Sequence, residues 1–251
     1  MEAVTKVCCF NLRVPKWKDG RNAFFFRRPL IRAVLRREAF DVIGFQEVIP
    51  CMRGFLKRAL RGYTLLYLKK GVGKFAEQVP IAFREDKFRL LSFNVFWLSP
   101  TPDKPNSRFP TDQSPNPRLC FVALLEEKAT GKKLRVYNTH LDHVGETARR
   151  KGMEVVLNRI KKDDEACPGV PLLLMGDFNA TPQSPFLKTI PYADATATLP
   201  VTFTAYHPEK KGSKIDYIYT DAAFSSPRVL TDRKGKRMLS DHYPAAIDIT
   251  L

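Results

Sequence analysis

The chain has 251 residues, 44% hydrophobic and 27% charged, which excludes a disordered segment and allows a large core in one domain. It has no run of about 18 apolar residues, which excludes a membrane-spanning helix, and its five cysteines are odd in number and lack zinc-site spacing. Forty-two Lys and Arg against 26 Asp and Glu leave a formal charge of +16, which points to polyanionic partners such as nucleic acid or phosphate-rich ligands.

Val4–Val14 reads as the first strand, with Cys8, Phe10 and Leu12 on one face and Asn11 and Arg13 on the other. No apolar signal segment precedes it, so the expected location is the cytoplasm; an exported chain with its signal removed would look the same. Cys8, Cys9, Cys51, Cys120 and Cys167 then read as free, buried thiols of a reducing compartment. Lys16–Arg28 is a basic loop containing Trp17 and Phe24–Phe26. Pro29 suits the first turn of a helix whose apolar stripe is Leu30, Ile31, Val34 and Leu35. Phe40–Val48 is the second strand, with Gln46 and Glu47 at its end. Arg53–Arg61 is a short helix closed by Gly62.

Tyr63–Lys69 and Val79–Arg84 read as strands around a Gly/Lys loop, and Phe88–Leu98 as another strand. Ser99–Pro117 holds six prolines and forms a long irregular loop. Arg118–Glu126 and Leu134–Leu141 are strands, and Gly145–Lys162 is a helix with its Arg and Lys exposed. Leu172–Met175 is an apolar run that stops at Gly176 and is followed by Asp177 and Asn179, the pattern of a buried strand ending at a sheet edge. An Asx-rich turn alone would also explain that ending. Ser184–Ile190 is a short helical segment. Val201–Ala205 and Ile215–Thr220 are strands, Arg228–Arg237 is a basic loop, and Ala245–Leu251 is the last strand. Many strands, few helices and no linker predict one α/β domain over 1–251, built on two packed, mainly antiparallel sheets.

Polar residues recur near the strand ends: Asn11, Glu47, His140 with Asp142 and His143, Asp177 with Asn179, and Asp216. Ser240-Asp241-His242 precedes the last strand. A lone His or Asp at such a place is usually structural; the set together predicts one shared location. Glu, Asp and Asn oxygens suit hard cations such as Mg²⁺ or Mn²⁺. A metal with two histidines and several carboxylates suits hydrolysis of a phosphoryl bond.

Six motifs carry a resemblance: Asn11-Leu12-Arg13, Gln46-Glu47-Val48, Asn138-Thr139-His140-Leu141, Gly176-Asp177-Phe178-Asn179-Ala180, Ile215-Asp216-Tyr217-Ile218 and Ser240-Asp241-His242. In this order the chain resembles the endonuclease/exonuclease/phosphatase superfamily, the DNase I-like fold. Thr139-His140-Leu141-Asp142-His143 with Ala148-Arg149, and Phe96-Trp97-Leu98-Ser99 followed by Pro117-Arg118, resemble a bacterial branch related to deadenylase-type phosphodiesterases. The resemblance implies a four-layered α/β sandwich and metal-dependent phosphoester hydrolysis. It implies Glu47 as principal ligand of Mg²⁺ (or Mn²⁺), with Asn11 beside it and Asp241 completing the shell. It implies that Asp177 orients or deprotonates the attacking water, with His242 the competing base, and that Asn179 holds phosphate and water. His140 would stabilise the transition state, and Asp216 is the candidate to orient His242. Arg118 is a candidate phosphate contact, with Asp142 and His143 beside it; an Arg118–Asp142 pair is the equally weighted alternative.

Within the resemblance, Met175 and Ala180 depart from the inositol-polyphosphate phosphatases, and the basic segment before Ser240 departs from the apurinic-site nucleases. Phe24–Phe26 is the nearest counterpart of a membrane-facing aromatic segment, and a buried cluster is the expected arrangement. Basic residues flank the motifs in 16–37, 149–162, 210–214 and 228–237. This charge favours a monomeric nuclease or phosphodiesterase acting on DNA or RNA. A phosphatase or phospholipase-type hydrolase of a small or lipid phosphate is the alternative.

Overall fold

The computed structural model describes residues 4–68, 76–110 and 112–251; the expected Gly/Lys loop lies outside the described residues. The chain runs through β1 (Val4–Asn11), α1 (Phe24–Glu38), β2 (Val42–Gln46), α2 (Arg53–Ala59), β3 (Tyr63–Leu66), β4 (Ile81–Arg84) and β5 (Phe88–Trp97). It continues through β6 (Leu119–Glu127), β7 (Lys133–His140), α3 (Glu146–Ala166), β8 (Leu172–Asp177), β9 (Ala193–Asp194) and β10 (Asp216–Thr220). It ends with β11 (Ala223–Val229), β12 (Arg233–Lys234), β13 (Arg237–Met238) and β14 (Ala245–Thr250).

Two six-stranded sheets result, in the orders β11-β14-β1-β2-β4-β3 and β5-β6-β7-β8-β10-β9; β12 and β13 form a separate hairpin. Within each sheet one pair is parallel, β1 with β2 and β7 with β8, and the other pairs are antiparallel. A parallel pair needs a crossover, and α1 and α3 supply the two. Three apolar clusters separate four layers. Cys8, Phe10 and Leu12 pack with Phe24, Ile31, Val34 and Phe55 under α1 and α2. Val7, Cys9 and Val42 meet Val136, Leu173, Met175 and Ile218 between the sheets. Tyr137, Leu172, Leu174 and Tyr217 meet Val156 and Ile160 of α3. The result is the expected four-layered α/β sandwich.

Strand alternation then decides where the polar ends go. The residues that follow Val7 and Cys9, Val136, Leu173 and Met175 at steps of two are Asn11, Asn138 and His140, and Asp177. Asp216 lies two residues before Ile218 on the same face. The period that fills the inter-sheet core therefore carries these polar side chains to its rim. The sheets pack tightly at Gly44, where a Cβ would stand 2.5 Å from the Met175 sulfur and 2.7 Å from Asn138 Oδ1. Asn138 is buried in this gap; its amide donates to Phe45 O at 2.8 Å and Val79 O at 3.0 Å, and Gln46 Nε2 donates to its Oδ1 at 2.7 Å.

Several elements differ from expectation. The first helix begins at Phe24, with Pro29 inside it. Pro29 has no N–H for the carbonyl of Phe25, and Arg28 Nε donates to that oxygen instead at 3.3 Å. Of the expected aromatic cluster only Phe24 is buried; Phe25 and Phe26 are exposed. Residues 201–205 form no strand among the described elements but clamp the 241–243 segment, with Thr204 N donating to Asp241 O and Tyr243 N to Thr202 O. The expected basic loop at 228–237 holds the end of edge strand β11 and the β12–β13 hairpin. Cys8, Cys9 and Cys120 are buried and free, as expected, but Cys51 is exposed and Cys167 half-buried. Arg149, Lys151 and Arg159 of α3 are half-buried rather than exposed.

Candidate active site

β1 and β8 end in the same way. Asn11 Oδ1 accepts from Arg13 N at 2.9 Å, and Asp177 Oδ1 accepts from Asn179 N at 2.9 Å. Each is an Asx turn that places the residue two positions on in the left-handed region, Arg13 at φ 57° and Asn179 at φ 48°. Glu47, just past β2, is left-handed too, at φ 59°. A backbone conformation that bulky residues avoid, at the ends of adjacent strands, marks a place whose geometry the surroundings enforce. At Gly176 a Cβ would sit 2.0 Å from Thr139 O, so only glycine lets β8 lie this close to β7 just before Asp177.

These turns open a cleft of about 420 Å³, lined by Glu47, Arg118, His140, His143, Asp177, Asn179, Asp241 and His242 among the expected residues. Asn11, Asp142 and Asp216 are buried and are not among the cleft-lining residues. Asn11 Nδ2 donates to Asp177 Oδ2 at 2.9 Å and to Glu47 Oε1 at 3.2 Å, joining the two sheets. Val14 N holds the other Glu47 oxygen at 2.8 Å. Asp216 stands opposite Asp177 in the β8–β10 register and its Oδ2 lies 2.9 Å from His242 Nδ1. His242 Nε2 then faces Asp177 Oδ2 at 3.7 Å, and Phe203 packs on the ring at 4.8 Å. Asn179 Nδ2 contacts His140 Nε2 at 2.9 Å and donates to Leu141 O at 3.1 Å.

The electrostatics follow from this packing. Burial alone would push the His242 imidazole down, but Asp216 and Asp177 outweigh it and hold the ring protonated. Burial and the neighbouring Asp216 push the Asp177 carboxyl up. His140, buried and near Arg118, His242 and His143, is pushed well below the usual range and stays neutral. Burial and Glu47 push the Glu77 carboxyl up. Asp216 beside Asp177 and Glu47 beside Glu77 thus crowd negative charge at this part of the site. The carboxylates of Glu47 and Asp241, with no thiol in the cleft, fit a hard divalent cation, whereas Asn11, expected as a ligand, has its Oδ1 taken by Arg13 N and steadies Glu47 through Nδ2. Asp177, Asp216 and His242 also bring ligand atoms within 4.8 Å of one another, with His242 Nδ1 and Asp216 Oδ2 hydrogen-bonded to each other.

Asp142 is buried behind the cleft wall rather than lining it. Its oxygens accept from Ser114 N and Oγ, Val144 N and Gly145 N, and Arg118 Nε lies 3.5 Å away. Arg118 also reaches His143 Nδ1 at 2.8 Å and Glu77 at 3.5 Å, so the Asp142 pair and a place in the cleft coexist.

Sequence reasoning gave no individual site role to Glu77, Asn116, Lys16 or Phe203, all of which line the cleft. Glu77, Asn116 and Lys16 lie on irregular segments where no period points to a face, and Phe203 lies in the expected 201–205 strand that does not form. Arg27 was also missed. It is buried and donates to Asn22 O, Leu12 O, Arg13 O and Leu239 O, tying the end of β1 to the segment before Asp241. Arg13 completes that link, lying 3.4 Å from Asp241 and 3.3 Å from Asp19.

Comparison with known proteins follows the same lines. Residues 22–242 match the model of the Endonuclease/Exonuclease/phosphatase family. Among curated proteins none matches. An endonuclease/exonuclease/phosphatase from Bacteroides vulgatus shares 30% identity at a TM-score of 0.90, with 100% of both chains covered. A mannosyl-6-phosphatase from Bacteroides thetaiotaomicron shares 27% identity at 0.85, covering 98% of this chain and 100% of that one. D. rerio TDP2, complexed with single strand DNA product, is similar in fold: 18% identity, TM-score 0.75 and 100% of both chains covered.

Proposed function

The chain belongs to the endonuclease/exonuclease/phosphatase family of phosphoester hydrolases, and on that premise we propose that it is a divalent-metal-dependent phosphodiesterase cleaving nucleic acid. One observation carries the reading: a buried His242–Asp216 pair faces Asp177 on the floor of a cleft that Arg13, Lys16 and Arg118 also line. That places a proton acceptor and a cationic donor below groups that attract a phosphate.

Glu47 and Asp241, with Asn11 steadying Glu47, are the residues that would hold Mg²⁺ or Mn²⁺. When bound, the ion would polarise the phosphoryl group and neutralise charge that builds on it. Asp177, its carboxyl raised by burial and by Asp216, takes the proton of the attacking water. The water oxygen bonds to phosphorus as the ester P–O bond breaks, and the leaving oxygen is protonated from solvent. Asn179 orients the water and phosphate beside His140. His242, kept cationic by Asp216, stabilises the phosphoryl oxygens in the transition state. Arg118 reaches the phosphate from the cleft wall.

The charge of +16 supports a polynucleotide over a small substrate. A second reading, hydrolysis of a small phosphomonoester, is supported by the likeness to a mannosyl-6-phosphatase. A panel separates them: single- and double-stranded DNA and RNA, mannose 6-phosphate and a phospholipid, each with Mg²⁺, Mn²⁺ or EDTA. Polynucleotide cleavage that EDTA abolishes is the expected result. Turnover of the sugar phosphate or phospholipid alone would overturn the nucleic-acid reading.

A further inference from the structure

An aromatic surface next to cleft-lining Lys16 is exposed among the described residues. Trp17 is 74% exposed, Phe25 38% and Phe26 48%. Trp17 and Phe25 lie 5.6 Å apart at an interplanar angle of 22°, so they form one stacked ledge. Arg28 sits 5.1 Å from the centre of the Phe25 ring and Arg237 6.0 Å from that of Phe26. The backbone on both sides of the ledge is anchored. Trp17 opens a 3-10 turn that Asp19 fastens to Arg13, and Phe25 follows the buried Phe24, whose ring packs edge-on against Phe55.

Its position is informative. Lys16, on one side of Trp17, lines the cleft with Glu47 and Asp177. Lys18, on the other side, lines a second groove of about 670 Å³ with Arg21, Arg233 and Lys236. Cations thus flank Trp17 on both sides, in the cleft and, with Asp19 and Glu209 among them, in the second groove. Flat exposed rings among basic groups are what a single strand needs: cations for its phosphates and a π-face for an unstacked base. A duplex hides its base faces, and a sugar phosphate has no further phosphates for the second groove.

We infer that the Trp17–Phe25 ledge is a stacking platform for a base of a single-stranded polynucleotide whose scissile phosphate lies in the cleft; this rests on the nucleic-acid reading above. The partner is recognised by its combination of bases and repeated phosphates. A lipid surface is the other ligand that aromatic and basic groups could meet, and it forms an arm of the test.

The test uses the full chain in EDTA, so that binding is read without turnover. The protein has two tryptophans, and the other, Trp97, is buried at 7% exposure, so quenching of tryptophan fluorescence reports Trp17. The probes are a single-stranded DNA oligomer, an oligomer of equal length and charge made only of abasic sugar phosphates, and phosphatidylserine-containing vesicles. The DNA oligomer should quench saturably. Because Trp17→Ala removes that reporter, its binding is read by the anisotropy of end-labelled oligomers: the substitution should weaken DNA binding about 5- to 150-fold, the worth of one stacked base, and leave the abasic oligomer's binding unchanged. No quenching, equal losses on both oligomers, or a response to vesicles alone would overturn the platform. If the oligomer is cleaved with metal but does not quench, the platform falls and the phosphodiesterase stands. If it is neither bound nor cleaved, both fall.

Discussion

Asp177 accepts from Asn11 and Asn179 while facing two histidines and standing opposite Asp216. Each contact alone is ordinary; together they keep a raised carboxyl beside a protonated imidazole, a division into base and acid that a common environment would not produce. Asp177→Asn and His242→Ala should each lower kcat on a DNA oligomer about 10²- to 10⁴-fold, with circular dichroism unchanged. A loss shared by KM alone would place these residues in binding instead. At this scale the motifs were legible because they end strands: alternation fixed which way Asn11, His140 and Asp177 point. Arg27 and Glu77 were not legible. Arg27 sits among Arg28, Arg32 and Arg36 on α1, and only its burial against four carbonyls distinguishes it.

The elements around the cleft show how an irregular segment is fixed by a few side chains. The described residues of 99–117 form no strand or helix, yet Ser114 is bound to Asp142, and Asp112 accepts from Thr147 N and Ala148 N at the start of α3. Burial pushes the Asp142 carboxyl up, but hydrogen bonds from Gly145, Ser114 and Val144 outweigh it and bring its pKa from 3.8 to about 2. A depressed pKa contributes stability that is present above the unfolded value and lost as pH falls through the folded one. Asp142→Asn should therefore unfold at lower denaturant than the wild type at neutral pH, with the gap closing between about pH 4 and 2. A gap independent of pH would show that the charge plays no part. The strands with an apolar period were readable in the sequence. Edge strand β11 was not, because its exposed Ala-Phe-Ser-Ser-Pro-Arg carries no alternation. Nor was the true start of α1, since three successive phenylalanines fit no single helical face.

For the whole molecule, the two parallel pairs β1–β2 and β7–β8 carry their carboxyl ends to the same rim, each crossed by a helix on its outer face. Ligands favour such ends, where strand-end side chains and loops converge. Two packed sheets were readable from the strand count and the four layers from the family resemblance that the motifs carry; the distribution of charge was not readable. On α3, Arg150 pairs with Glu154 and Arg159 with Asp163, and no residue of that helix lines the cleft. The cations near the site come instead from Arg13, Lys16 and Arg118 and, beyond the ledge, from Lys18, Arg21, Arg233 and Lys236. If that face binds a polynucleotide, each phosphate it neutralises on a single strand adds about −0.7 to the slope of log affinity against log salt. The deciding measurement is kcat/KM for a single-stranded oligomer at fixed Mg²⁺ across a range of NaCl concentrations. The account predicts a steep fall corresponding to several phosphate contacts. A rate indifferent to salt, or no cleavage at any salt, would contradict it.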